Sequence, residues 1–158
     1  MASRASIAGH PIHPMLVVFP IGLFVFSFLC DLIYLGSHDP LWRDVAYYTM
    51  AGGIVGGLAA AIPGAVDFFS LTDSRVRQIG AVHMAINISV VVLYAINLWM
   101  RSASSSPTLS IWLSGVGVAL LGVSGWLGGE MVYVHGVAVG SGEETASAGR
   151  MHPSASRR

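Results

Sequence analysis

Four stretches of this chain stay apolar for twenty residues or more, and the segments between them carry too little charge for a water-soluble fold. The runs occupy Pro14–Leu35, Val45–Val66, Ile79–Met100 and Leu109–Val134. Each reaches the ~20 residues that an α-helix needs to cross a hydrocarbon core ~30 Å thick. Charged residues make up 10% of the chain, against about 25% in soluble domains. Inside a bilayer no water pairs with the backbone, so a helix that satisfies its own N–H and C=O groups is the expected form. The 158-residue chain is therefore expected to be an all-α membrane protein, an antiparallel four-transmembrane-helix bundle over residues 1–139. Residues 140–158 are rich in Ser, Gly, Ala and charge and read as a disordered tail.

The connections after the first and third runs, Gly36–Trp42 and Arg101–Thr108, are short and rich in turn-forming residues. Such loops force an up-down-up-down order. The first run exceeds the usual apolar core of a cleaved signal peptide and has no small-x-small site after it. It is expected to be retained as a span. Lysine is absent, so orientation rests on arginine. Arg4, Arg75, Arg77 and Arg150 lie on the side of both termini, Arg43 and Arg101 on the other. The positive-inside rule then places both termini on the cytoplasmic side. Trp42, Trp99 and Trp112 fall at the opposite interface, where aromatic belts form.

Several function classes are excluded at this stage. A formal charge of +0 gives no electrostatic case for nucleic acid. Cys30 is the single cysteine, so an internal disulfide, Cys-x-x-Cys-His haem attachment and Cys-rich zinc or iron–sulfur sites are out. Any cofactor must be held by histidine, carboxylate or packing. No charge falls at the bilayer midplane, where transporters usually place polar sites.

Antiparallel order gathers the start of the first helix, the end of the second, the start of the third and the end of the fourth. Those ends carry His10 and His13, Asp67, His83, and Glu130 with His135. Ionisable groups at membrane depth are costly and face a bundle interior, which makes them candidates for function. Two stripes at three- and four-residue steps support that placement: His83, Asn87, Val90, Tyr94 and Asn97, and His13, Val17, Pro20, Phe24, Ser27 and Asp31. Pro20 and Pro63 fall inside helices, where each removes a backbone hydrogen bond and favours a kink. Asp31, Asp44 and Arg101 are candidates for an ion-pair cluster at the far end.

Two chemistries compete for the histidine end. His83 and His135, on neighbouring helices, suit the axial positions of a b-type haem, with His10, His13, Asp67 and Glu130 around it. Gly122, Gly125 and Gly129, with Gly52, Gly56 and Gly64, would give a flat ring room, although such spacing is also the ordinary way membrane helices pack. Alternatively His83 with Asp67, Glu130 and either His13 or His135 gives mixed N/O ligation for a divalent metal ion. A third reading makes the histidines caps and cross-links in a non-catalytic accessory subunit of a membrane complex. His38 reads as a solvated turn residue. Whether the chain is an enzyme is open; partners are the lipid bilayer and, under the haem reading, a quinone or redox partner protein.

The segment HPIHPMLVVFPIGL over residues 10–23 resembles the start of a bacterial family of predicted membrane proteins, domain of unknown function 2231. GAVD at 64–67, His83 and GGEMVYVHG at 128–136 resemble its other recurring elements. The resemblance implies four transmembrane helices and no defined activity. Some members carry Rieske-type or c-type cytochrome domains, which implies a redox partnership that a separate protein would supply here. Val18 stands where members often carry another histidine.

Overall fold

The computed structural model describes residues 3–103 and 107–139. Four helices form: α1 Ile12–Ser37, α2 Pro40–Phe69, α3 Ser74–Ser102 and α4 Pro107–Tyr133. All four are long and apolar enough to cross a membrane. The helices overrun the apolar runs at most ends. Hydropathy marks the hydrocarbon layer, whereas the backbone stays helical into the headgroup region. At 1.5 Å per residue, the 30 residues of α2 reach about 45 Å, well beyond a ~30 Å core.

Local chemistry sets the breaks. The α1–α2 connection is only His38 and Asp39: His38 takes a left-handed conformation, φ 57°, and donates its N–H to the Tyr34 carbonyl. The Asp39 carboxylate then accepts from the Leu41 N–H at 3.0 Å, with Pro40 opening α2. Asp73 caps α3 in the same way, accepting from Arg75 and Val76. His38 is exposed, as expected of a turn residue. The tail expected over 140–158 lies outside the described residues.

The bundle is two helical hairpins. α1 lies most extensively on α2, and α3 on α4, while the seam between the hairpins is looser. Glycines draw the first hairpin together: an added Cβ would stand 2.6 Å from the Phe24 ring at Gly53 and 3.3 Å from Pro20 at Gly56. Both internal prolines, Pro20 and Pro63, are buried.

The two polar stripes face inward. Pro20, Phe24, Ser27 and Asp31 of α1 are buried, as are Val90, Tyr94 and Asn97 of α3. At the centre, Phe24 and Tyr94 stack across the seam with ring centres 3.9 Å apart and planes 8° from parallel. Lipid-facing positions carry Trp99, Trp112, Val55 and Ile62, all strongly exposed.

Candidate functional site

His13 enters α1 in its first turn, and its Nδ1 lies 2.8 Å from the Ala60 carbonyl of α2. Gly64 makes that approach possible, since a Cβ there would fall 2.7 Å from His13 Nδ1. His83 sits nine residues beyond Ser74, about 14 Å along α3. Its Nδ1 lies 2.9 Å from the Ser124 carbonyl of α4 and 3.0 Å from Ser124 Oγ. Gly128 gives it the same clearance, with a would-be Cβ 3.3 Å from the ring. Each histidine is thus bound to the partner helix within its own hairpin.

Across the seam the two imidazoles meet. Their centres are 6.4 Å apart and their planes 88° from parallel. A carbonyl oxygen can only accept, so each Nδ1 must present a hydrogen to it. In the neutral ring that leaves Nε2 with an exposed lone pair, the tautomer found where a histidine ligates a metal through Nε2. Both rings are half-buried.

The remaining expected site residues lie apart from this pair. Asp67, one turn beyond Gly64, accepts from Ser3 Oγ at 2.8 and 2.9 Å and from the Ala5 N–H at 3.1 Å. It anchors the N-terminal segment, whose strands β1 Ser6–Ile7 and β2 His10–Pro11 form a small β-hairpin. His10 is exposed, its Nδ1 3.0 Å from the Ala8 carbonyl. His135 lies past the end of α4, with Nε2 3.9 Å from Glu130 Oε1. That nitrogen is buried without a hydrogen-bond partner among the described residues.

The expected pairing of His83 with His135 is therefore not the one this geometry offers. His83 is level with Ser124 and Gly128, whereas His135 stands beyond Tyr133, the last residue of α4. Nor do the expected metal ligands converge: among the described residues no three His, Cys, Asp or Glu side chains form a metal-binding group. A cavity of about 300 Å³ lies nearer the surface, lined in part by Ser3, Arg4, Asp67 and Ser70. Gly122 and Gly125 face outward with open space around them and make no room for a ring.

Sequence reasoning missed the α4 contribution. Ser110, Ser114, Gly117 and Ser124 are all buried, and Gly128 follows at the same three- and four-residue rhythm. In the sequence, α4 stood out by its glycines, Trp112 and Glu130, not by these serines. At the far end Arg101 clamps Asp31 through two bonds, 2.8 and 2.6 Å, while Ser114 Oγ adds a third at 3.0 Å. Asn97 donates to the Ser110 carbonyl and Ser114 Oγ. Asp44, expected in this cluster, is exposed.

Fold and site define a four-span α-helical membrane protein with an imidazole pair near one end of its interior and a buried ion pair near the other. The family model of predicted membrane proteins termed DUF2231 matches residues 9–141, and the chain belongs to that family. No curated protein and no solved structure matches it.

Proposed function

We propose that this protein is a membrane electron-transfer module in which His13 and His83 hold a b-type haem. The observation that carries the reading is the pair itself: two perpendicular imidazoles from different hairpins, 6.4 Å apart, each anchored through Nδ1. With metal–nitrogen bonds of about 2 Å, rings on opposite sides of one ion have centres roughly 6 Å apart. A tetrahedral zinc would need at least one more protein ligand, and the described residues supply no third. A haem brings its own equatorial nitrogens and needs only an axial pair from the protein. The seam between the hairpins is where a flat group would enter with least loss of packing.

When bound, the haem supplies one-electron chemistry. The protein would contribute the two imidazoles anchored through Nδ1 and, nearer the surface, the carboxylates Asp67 and Glu130 for the accompanying proton. The electron partner is a membrane quinol or a separate redox protein. The arginine bias orients the histidine end and the termini toward the cytoplasm of a bacterial inner membrane.

Visible spectra of protein purified in mild detergent from haem-sufficient cells test this. A Soret band and a sharp reduced α band are expected, abolished or shifted by His13→Ala and by His83→Ala but kept in His10→Ala and His135→Ala. A colourless protein overturns the reading. Elemental analysis then separates a divalent-metal site from an accessory subunit without cofactor.

A further inference from the structure

The surroundings of His83 are more elaborate than an anchor requires. Ser124 offers two oxygens to one ring nitrogen, its carbonyl at 2.9 Å and its hydroxyl at 3.0 Å. Asn87, one turn along α3, donates one amide hydrogen to the His83 carbonyl at 2.8 Å and another to Ser124 Oγ at 2.7 Å. The His83 carbonyl, which can only accept, fixes the Asn87 amide with its nitrogen on this side. One Ser124 hydroxyl lone pair is taken by Asn87, which leaves the other for the Nδ1 hydrogen of His83. Ser124 is 2% exposed, so water does not compete.

From this geometry we infer that Asn87 and Ser124 are positioning residues that lock the His83 tautomer. They hold the hydrogen on Nδ1 and keep Nε2 free as a lone pair before any metal arrives. The role rests on the haem reading for its purpose, but the lock itself does not depend on a cofactor. Partners of this kind orient a ligating ring and raise its basicity, and losing them costs roughly 10–100-fold in metal affinity.

The test is nitrogen NMR on the full chain, labelled with ¹⁵N-histidine in detergent and free of haem, with the His83 resonances assigned by their loss in His83→Gln. Wild type should show Nδ1 protonated and Nε2 bare. Ser124→Ala and Asn87→Leu keep the residue-124 carbonyl but remove the groups that hold the ring against it, so a fraction of the Nε2–H tautomer should appear, and Ser124→Thr should restore the wild-type pattern. Titration of the same samples with ferric haem should show weakened binding in the first two variants. Wild type with Nε2–H, or unchanged tautomers in both variants, overturns the lock. Failure of wild type to bind haem while its tautomer responds as expected overturns the haem reading and leaves the lock standing.

Discussion

Arg101 keeps its charge within the bundle because Asp31 takes both of its terminal nitrogens, and the two side chains are only 7% and 1% exposed. Removing one partner leaves the other buried and unpaired, which typically costs about 3–5 kcal/mol. Asp31→Ala should therefore lower the thermal unfolding midpoint in detergent sharply. The double change to Leu at both positions should recover much of the loss, since a well-packed apolar pair avoids desolvation. Equal instability of the single and double variants would contradict this account. Gly64 makes a complementary case: Gly64→Val puts atoms where His13 now lies, so the spectrum should be lost while helical circular dichroism persists. The charged partners were visible in the sequence as Asp31 and Arg101, but not the exclusion of Asp44, which depends on how α2 is rotated.

The existence and number of the helices were the most legible level, because twenty-residue apolar runs admit one solution in lipid. Their exact ends were less so: capping by Asp39 and Asp73 extends α2 and α3 several residues beyond the apolar runs. Asp73 also gives a pH-dependent test. The Val76 N–H holds its carboxyl below the usual carboxylate range, opposed by desolvation and helped by lesser contributions from the Arg75 N–H and from the charges of His135 and Arg75. A depressed folded value means the cap's contribution is complete above the ordinary aspartate range and fades as pH falls through the lowered one. Amide exchange at the start of α3 should accelerate over that acidic interval, relative to the intrinsic pH dependence of exchange, and Asp73→Ala should show the faster exchange already at neutral pH. An equal rate in variant and wild type at neutral pH would refute the cap. Packing within the first hairpin has its own check. Gly53→Leu overfills the contact with Phe24 and should destabilise by about 1–3 kcal/mol, read as a lower unfolding midpoint.

At the scale of the whole molecule, two tight hairpins meet across a looser seam. They are joined at one end by His13 and His83, at the centre by Phe24 and Tyr94, and at the other end by Asp31 and Arg101. The inward stripes of α1 and α3 were legible because three- and four-residue spacing of polar groups in an apolar run has one cheap orientation. Which histidines meet was not legible. Chain order brings four helix ends together but does not fix depth along the axis, and depth separates His83 from His135 while aligning it with His13. The central claim is that His13 and His83, whose ring planes are nearly perpendicular, would together hold one haem. Electron paramagnetic resonance of the oxidised protein reads both features together. The account predicts a low-spin ferric signal with the strong anisotropy of perpendicular axial imidazoles, lost on changing either His13 or His83. A low-spin signal that survives His13→Ala, or one that disappears with His135→Ala instead, would contradict it.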